Sequence, residues 1–364
     1  MKFADRQRRL LTVAAAETGV GAMLITNPAN VRWLTAFGAS HAAVLLLPER
    51  TVLATDARYE GQARELARQL NDDLHIMIDS GAVGALLACA VESGELTLGF
   101  EDSDVTVAQR RSFADQIGDA PALVPVGPIA ARLRGRKDAA ELRLLRHAAE
   151  IAAQALEATV AEIRVGMSEV HVARLLEARL GDFGASDRAF PTIVAAGPNS
   201  AIPHHLPTAR LIQSGELLKI DFGAEYQGYH SDCTRMFVVG AEPADWQREL
   251  YELVDRAAAA ARMAAAPAVA TAAVDAAARC VIVEAGYGQN FGHGCGHGVG
   301  LEIHEAPMLG PTSEGILEVG QVITIEPGVY LPGRGGVRIE DTCAVDGDGI
   351  EILTQSPREL RRLS

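Results

Sequence analysis

The chain has 364 residues with 33 basic and 47 acidic side chains, which gives a formal net charge of −14. Such an acidic protein is poorly suited to a phosphate backbone or an anionic membrane, so neither a nucleic acid nor a membrane is expected as a partner. With 48% hydrophobic and 22% charged residues, the composition is globular and excludes a disordered, collagen-like or disulfide-scaffold protein.

The cysteines and the amino-terminal residues both favour a cytoplasmic protein. The cysteines form no Cys-x-x-Cys pair, which is typical of reduced thiols; they are Cys89, Cys233, Cys280, Cys295 and Cys343. The apolar residues 10–16 follow several arginines, but they fit a helix face and no cleavage pattern follows them, so we expect no signal peptide. No run of about 18 apolar residues occurs, so no transmembrane helix is expected.

The first part of the chain alternates between helical and strand-like patterns. A helix is predicted over residues 5–17, and strands are predicted over 22–26, 42–47 and 51–55. This alternation is typical of an α/β layer. Pro125, Gly127 and Pro128 then predict a boundary. We therefore expect one domain over residues 1–130 and a larger one over 131–364.

The second part of the chain separates its helices from its strands. Helices are predicted over 138–163, 169–180, 246–266 and 271–284, and a region rich in β-formers covers 190–239. Further strands are predicted over 298–304, 322–325 and 337–345. This arrangement predicts an α+β domain.

Two aspartates lie on either side of a predicted turn within residues 217–237. If the turn centres between Tyr226 and Gln227, Asp221 and Asp232 face each other on adjacent strands. Facing Cβ atoms would be about 5 Å apart, where two negative charges repel. A divalent cation between them is the simplest answer, because such ions prefer carboxylate oxygens. Each aspartate alone could instead be an ordinary turn or edge-strand acid.

Two glutamates near the carboxyl end repeat this arrangement. Glu326 and Glu340 are symmetric about Gly333, which lies in a predicted hairpin loop. Four carboxylates are more than one ion needs, whereas two ions about 3.5–4 Å apart would use them all. Glu326 alone could instead be a solvent-facing strand end.

Six histidines cluster between positions 204 and 304, where they alternate with acids and glycines; they are His204, His205, His230, His293, His297 and His304. The alternating glycines of 292–300 allow the backbone to approach a ligand closely. A single histidine of this kind is more often structural than catalytic. Neither a dinucleotide-binding context nor a zincin motif is present. Cys233 and Cys295 are predicted to fill space, since hard carboxylate sites do not recruit thiolates.

Taken together, these segments resemble the M24 metallopeptidases of the pita-bread fold, which include Xaa-Pro aminopeptidases, Xaa-Pro dipeptidases (prolidases) and methionine aminopeptidases. The resemblance rests on DFGAEYQGYHSD at 221–232, HGCGH at 293–297, TIEPG at 324–328 and GVRIED at 336–341. The segment NPANVRWLTAFG at 27–38 resembles the amino-terminal domain of the proline-specific members. The resemblance implies an α+β pita-bread (creatinase/aminopeptidase-type) catalytic domain preceded by a smaller creatinase-like α/β domain.

The resemblance also implies a centre of two divalent metal ions, with Asp221, Asp232, His297, Glu326 and Glu340 as ligands. Asp232 and Glu340 would bridge the ions, Asp221 would complete one ion, and His297 with Glu326 would complete the other. Manganese is the expected metal, and cobalt or zinc are alternatives, because carboxylates with one imidazole accept all three.

The remaining site residues follow from the same resemblance. A hydroxide between the metals would attack the scissile carbonyl, with Glu326 as the proton shuttle. His204 would hydrogen-bond the substrate or stabilise the tetrahedral intermediate, and His304 would contact the substrate carbonyl. Arg338 would hold a bridging carboxylate or a substrate oxygen. The candidates for substrate binding are His293, Tyr229 and Arg32.

One departure from the family bears on the substrate. Many relatives have an arginine after the equivalent of Pro307, which in some prolidases anchors the terminal carboxylate of a dipeptide, whereas this chain has Met308. A strict dipeptidase needs a cationic clamp for that carboxylate. The sequence therefore favours an Xaa-Pro aminopeptidase acting on proline-containing peptides, with a prolidase as the alternative in which Arg334 or a partner subunit's arginine substitutes.

Other branches of the fold fit the sequence less well. Methionine aminopeptidases generally lack the amino-terminal domain, and the metal-free creatine amidinohydrolases lose ligands that this chain keeps. A non-catalytic peptide-binding protein of this fold would show eroded ligand positions. The resemblance also implies a homodimer, with residues 32–33 as a candidate contact.

Overall fold

The structure, a computed structural model, describes residues 2–70 and 74–364. The chain divides into two compact units, Met1–Arg134 and Gly135–Ser364. The sequence places the boundary four residues earlier, after residue 130. The difference arises because helix α6, Ile129–Arg134, contacts helices of the first unit and buries Ile129, Ala130 and Leu133.

The first unit is built on one mixed sheet. Its strands are β1 (Ala22–Ile25), β2 (Ala42–Leu46), β3 (Thr51–Thr55), β4 (Leu74–Ile78), β5 (Thr97–Phe100) and β6 (Ala122–Pro125), in the order β4-β3-β2-β1-β5-β6. Its helices are α1 (Phe3–Thr18), α2 (Pro28–Thr35), α3 (Glu60–Leu70), α4 (Ala82–Glu92), α5 (Val107–Ile117) and α6. Strand β2 is antiparallel to β1 and β3, and the outer pairs are parallel. This is the predicted α/β class.

The second unit combines long helices with several small sheets. Its helices are α7 (Ala139–Val160), α8 (Glu169–Asp182), α9 (Asp245–Ala264) and α10 (Thr271–Glu284). Its first strands are β7 (Asp187–Arg188), β8 (Ile193–Ala196), β9 (Leu217–Phe222), β10 (Ala224–Tyr226), β11 (Tyr229–His230) and β12 (Cys233–Val239). The later strands are β13 (Gly296–Gly298), β14 (Glu305–Leu309), β15 (Val322–Ile325), β16 (Gly328–Leu331), β17 (Gly335–Arg338), β18 (Asp341–Val345), β19 (Ile350–Ile352) and β20 (Arg361–Leu363).

The helices of this unit cover its sheets from two sides. Strands β9 and β12 pair antiparallel between β8 and β20, and β15 and β18 pair in a sheet ordered β14-β13-β15-β18-β19. Helices α7 and α8 share a core with one face of β9, through Leu218, Ile220 and Phe222. Helices α9 and α10 pack against the opposite side, in a core that includes Leu217 and Ile325. None of the helices within the described residues is long and apolar enough to cross a bilayer.

Two predicted strands differ from the structure. The strand expected over 298–304 is wrong, because β13 ends at Gly298 and a hydrogen bond from the Gly300 amide to the Glu302 carbonyl turns the chain. The strand expected over 337–345 is interrupted at Glu340. Residues before the interruption pair with β16 and residues after it pair with β15, so the chain changes sheets at that point.

Candidate metal centre

A cavity of about 230 Å³ in the second unit is lined by most of the site residues predicted from the sequence. These are His204, Asp221, Asp232, His297, His304, Glu326, Arg338 and Glu340. Apolar side chains complete the wall, namely Phe190, Pro191, Ile193, Leu206 and Ile303. Acids and histidines that are far apart in the sequence therefore meet in one space.

The two aspartates come from a hairpin whose register differs from the predicted one. Asp221 pairs with Thr234 rather than with Asp232, because the turn centres between Gln227 and Gly228. Both turn residues have positive φ, 50° and 84°, as a two-residue type I′ turn requires. The strand pairing is shifted by two residues from the predicted one. Because successive side chains of a strand point to opposite faces, Asp221 and Asp232 still lie on the same face of the hairpin. The aspartates are diagonal neighbours instead of facing ones.

The two glutamates lie where the chain passes from one sheet to another. Ile325 pairs with Asp341, and Gly328 pairs with Arg338, in the register centred on Gly333 that the sequence predicts. Glu326 and Glu340 lie between those pairs, outside both ladders. Their side chains consequently reach the cavity from the same junction.

The histidine among the candidate ligands lies on β13 with its Nε2 atom towards the acids. His297 Nδ1 is 3.0 Å from the Gly298 carbonyl oxygen, which fixes the proton on Nδ1. Its Nε2 atom lies 3.6 Å from Asp232 Oδ2 and 3.5 Å from Glu326 Oε1. Burial lowers the pKa of His297 to about 4, so the ring is neutral and Nε2 offers a lone pair.

The glycines on either side of His297 lie close to the backbone of neighbouring strands. A Cβ atom at Gly296 would lie 2.0 Å from the Thr324 carbonyl oxygen, and one at Gly298 would lie 2.4 Å from that of Ala306. These two glycines allow neighbouring strands to approach β13. That the glycines of 292–300 also let the backbone approach a ligand stays a prediction.

The electrostatics of the cavity call for positive charge. Asp232 and Glu340 are almost fully buried. Burial and then the neighbouring carboxylates raise the pKa of each well above its ordinary value. Burial likewise raises the pKa of Glu326 to about 7. Candidate ligand atoms of Asp232, His297 and Glu340 lie within 4.8 Å of one another.

Arg338 connects several parts of the site. Its Nη2 atom donates a hydrogen bond to Asp221 Oδ2, and its Nε atom donates to Thr234 Oγ1 at 3.1 Å. The Thr234 hydroxyl in turn donates to Glu340 Oε2 at 2.7 Å. Arg338 Nη1 donates to the Pro203 carbonyl at 3.1 Å and to the Tyr330 hydroxyl at 3.0 Å. Every nitrogen of this guanidinium therefore has a partner within the protein.

His293 stands behind the cavity wall rather than in it. Its Nδ1 atom is 2.8 Å from the Gly294 carbonyl, so Nε2 accepts the hydrogen bond from the Tyr330 hydroxyl at 2.9 Å. A directed chain of hydrogen bonds thus connects His293 to Arg338 through Tyr330. The sequence did not single out Tyr330 or Thr234, although Thr234 lies two residues from Asp232 and Tyr330 lies four residues from Glu326.

The other predicted histidines reach the cavity from loops. His204 and His304 are both exposed and line it, and the His304 ring lies 4.4 Å from the His297 ring, centroid to centroid. His205, which sequence reasoning did not select, also lines the cavity. Its Nε2 atom is 2.8 Å from Glu169 Oε2.

Tyr229, Arg32 and Met308 are not among the described residues that line the cavity. Tyr229 is buried and donates to Glu141 Oε1 at 2.9 Å, so its hydroxyl is used inside the protein. Arg32 belongs to the first unit, where its guanidinium lies over Gly38. Met308 is 53% exposed on β14.

Cys233 and Cys295 occupy the core, as predicted. Both thiols are buried within apolar clusters. Burial raises the pKa of each thiol above its ordinary value, so neither favours the thiolate form that binds metals.

The profile of metallopeptidase family M24 matches residues 143–347, and the profile of the creatinase/prolidase amino-terminal domain matches residues 7–135. The chain belongs to metallopeptidase family M24. It is an enzyme of that family, with a creatinase-type amino-terminal domain and a pita-bread catalytic domain. The fold expected from the sequence is thereby confirmed.

One curated relative of this M24 metallopeptidase matches nearly its whole length, and another matches about two thirds of it. The uncharacterized peptidase YqhT of Bacillus subtilis is 39% identical over 94% of this chain and 96% of that protein. An Xaa-Pro dipeptidase of Pyrococcus furiosus is 46% identical over 63% of this chain and 65% of its own.

Solved structures of relatives superpose closely. An Xaa-Pro dipeptidase from Bacillus anthracis has a TM-score of 0.92 at 36% identity, covering 100% of this chain and 99% of that one. An X-Pro aminopeptidase from Thermotoga maritima has a TM-score of 0.90 at 33% identity, covering 99% and 100%.

Family membership implies divalent metal ions, and the residues in the cavity fit them. The Oδ1 atom of Asp221 is buried with no hydrogen-bond partner among the described residues, which leaves an anionic oxygen for a cation. The donor set of carboxylates and one neutral imidazole suits a hard or borderline divalent ion.

Proposed function

We propose that this protein is an exopeptidase that cleaves the bond between an amino-terminal residue and proline, with two divalent ions held by five side chains. The observation that carries the proposal is the convergence of these side chains in one cavity. Asp221, Asp232 and Glu340 are buried, and His297 presents a neutral Nε2 atom to Asp232 and Glu326. Manganese is the proposed metal, with cobalt or zinc as alternatives.

Each side chain of the cavity has a separate role in the proposed cleavage. When bound, the two ions polarise the substrate carbonyl and make a water acidic. Glu326 accepts a proton from the attacking water at its carboxylate and returns it to the proline nitrogen as the bond breaks. His204 donates a hydrogen bond to the carbonyl oxygen as it becomes negative, and His304 contacts the same group. The free amino terminus of the peptide lies near Asp221.

We further propose that peptides longer than two residues are accepted. Arg338 is the one lysine or arginine among the described residues lining the cavity, and protein groups already occupy its donors. It is therefore not available to clamp the terminal carboxylate of a dipeptide. The second candidate, a prolidase, is favoured by the names of several relatives, among them the Bacillus anthracis and Pyrococcus furiosus proteins.

Hydrolysis of Ala-Pro and of Ala-Pro-Ala distinguishes the two candidates. The protein is stripped with a chelator, reloaded with Mn²⁺, and assayed for release of the amino-terminal alanine. We expect cleavage of the tripeptide with little cleavage of the dipeptide. The reverse result would support the prolidase, and no cleavage of either peptide would contradict both.

Replacing a proposed bridging ligand tests the metal centre itself. Asp232→Ala and Glu340→Ala each remove an anion from the site, so we expect loss of bound metal and of detectable cleavage. Glu314→Ala removes an exposed negative charge elsewhere and serves as the control. Retained metal and activity in the Asp232→Ala protein would exclude it as a ligand.

Three further properties belong to this proposal. The cytoplasm is the proposed location, because the scattered cysteines indicate reduced thiols. A homodimer is the proposed assembly, with Arg32 as the candidate contact because Trp33 is buried, and a monomeric mass by light scattering would contradict it. The proposed domains are residues 1–130 and 131–364. The packing of α6 against the first unit moves the boundary between them to residue 134.

A further inference from the structure

A buried lysine donates three hydrogen bonds to the backbone of the loop that carries His204, and Arg338 donates one more, to the Pro203 carbonyl. Within the described residues the His204 side chain has no hydrogen-bond partner, and it is exposed to the cavity. The position of its imidazole therefore depends on the backbone just before it. That backbone, residues 200–203, has no strand partner of its own.

Lys219, on strand β9, binds this backbone through its amine. Its Nζ atom donates hydrogen bonds to the carbonyl oxygens of Ser200 at 3.2 Å, Ile202 at 2.6 Å and Pro203 at 3.2 Å. The residue is fully buried on β9. Because strand residues alternate between faces, Lys219 lies on the same face as Asp221, two positions along. The lysine thus fixes the histidine loop relative to the strand that carries a proposed metal ligand.

A second clamp acts on the far side of His204. The Glu169 carboxylate bonds to His205 Nε2 at 2.8 Å, and it accepts hydrogen bonds from Asn199 Nδ2 at 2.8 Å and Thr208 Oγ1 at 2.7 Å. These bonds hold the two ends of the loop, whereas the bonds of Lys219 hold the residues directly before His204. The Lys219 amine offers three N–H donors when protonated and two when neutral, so at least two of the three hydrogen bonds persist in either state.

We infer that Lys219 is a positioning residue, which fixes the 200–203 backbone so that His204 faces the reacting carbonyl. The inference rests on the proposed function, because it takes His204 to act on the substrate. A group held in this way loses its effect when it moves by about 1 Å, which can reduce a rate by up to about 100-fold.

A double-mutant cycle tests this role. In the Mn²⁺-loaded enzyme, Lys219→Met keeps the length of the side chain and removes the donors, so we expect kcat for Ala-Pro-Ala to fall by about tenfold with KM nearly unchanged. In the His204→Ala background the same change is expected to lower kcat by less than twofold. An equal loss in both backgrounds would show that Lys219 acts by another route and would overturn the inference.

Amide hydrogen exchange gives a second test that does not need activity. We expect residues 199–206 to exchange faster in the metal-loaded Lys219→Met protein than in the parent, while β15 is unchanged. Lys137→Met is the matched control, because Lys137 is also a buried lysine but bonds to Glu305 instead of the loop. If the parent protein cleaves no Xaa-Pro peptide, the proposed function fails. The hydrogen-exchange measurement still tests whether Lys219 holds residues 200–203. Unchanged exchange in residues 199–206 would overturn the inference.

Discussion

At the scale of single residues, the site is shaped by polar partners as much as by the ligands themselves. Thr234 shows this most clearly, because one hydroxyl accepts a hydrogen bond from Arg338 and donates one to Glu340. Partners that orient a ligating carboxylate commonly change metal affinity or activity by about 10–100-fold when removed. The hydroxyl of Thr234 therefore orients Glu340, a ligand of the proposed metal centre.

The prediction for Thr234 follows from these two hydrogen bonds. Thr234→Val keeps the shape of the side chain and leaves Glu340 Oε2 without its donor, so we expect metal affinity to fall by about tenfold. The measurement is titration of the metal-free protein with Mn²⁺. Thr159→Val removes another buried hydroxyl, one that bonds only to the Ala155 carbonyl, and is expected to leave the affinity unchanged. Equal affinities for the two variants would refute the role of Thr234.

The sequence predicts the candidate metal ligands better than it predicts the side chains that hydrogen-bond to them. Acids in apolar strands require a compensating charge, so Asp221, Asp232, Glu326 and Glu340 can be selected from the pattern alone. A threonine in a strand carries no such demand, because its hydroxyl is satisfied in many ways. Lys219 was likewise not selected, since its three backbone partners come from a loop whose path the sequence does not reveal.

At the scale of elements, the β10–β11 turn decides how the aspartates approach each other. The sequence predicts the hairpin, but it does not decide between two adjacent turn centres, and moving the centre by one residue moves the pairing by two. Gly228 favours the observed turn centre, because a type I′ turn requires positive φ at both central positions and glycine adopts positive φ readily. The predicted helices differ only at their ends, for example 138–163 against the observed Ala139–Val160.

This turn provides a prediction about stability. Gln227 has a φ of 50°, which costs a non-glycine residue about 1 kcal/mol, whereas asparagine accepts the left-handed conformation more readily. Gln227→Asn should therefore raise the free energy of unfolding by roughly 0.5 kcal/mol. Gly228→Ala, the matched change at the next position, should lower it by about 1 kcal/mol or more. Denaturant unfolding measures both, and a stabilising Gly228→Ala would contradict the turn type.

At the scale of the whole molecule, the two units differ in what their buried acids do. In the second unit, the buried acids Asp221, Asp232 and Glu340 line the cavity, where cations can bind, and the buried acids Asp275, Glu305 and Asp341 pair with a lysine or an arginine. The first unit buries Glu101 instead among neutral donors, with Asn30 Nδ2 at 2.5 Å and the amides of Thr26 and Asn27 at 3.4 Å. Burial raises the pKa of Glu101 to about 7.

The raised pKa of Glu101 predicts a pH dependence of stability. Its pKa in the folded protein exceeds the ordinary 4.5, so the fold favours the protonated form. Its contribution is complete below about pH 4.5 and is lost as the pH rises through 7, by roughly 3 kcal/mol in all. Glu101→Gln cannot ionise and should weaken the loss of stability between pH 5 and pH 8. Thermal unfolding of both proteins at these pH values is the measurement, and identical pH profiles would contradict the prediction.

The two glycines that flank His297 limit which substitutions this site tolerates. Gly296 and Gly298 have no room for a Cβ atom, because carbonyl oxygens of Thr324 and Ala306 lie where it would stand. Substitutions beside the imidazole would therefore separate strands before they altered the chemistry. Substrate preference can vary more readily, through evolution or protein engineering, at lining residues that keep contact with solvent, such as Pro191, Leu206 and Ile303.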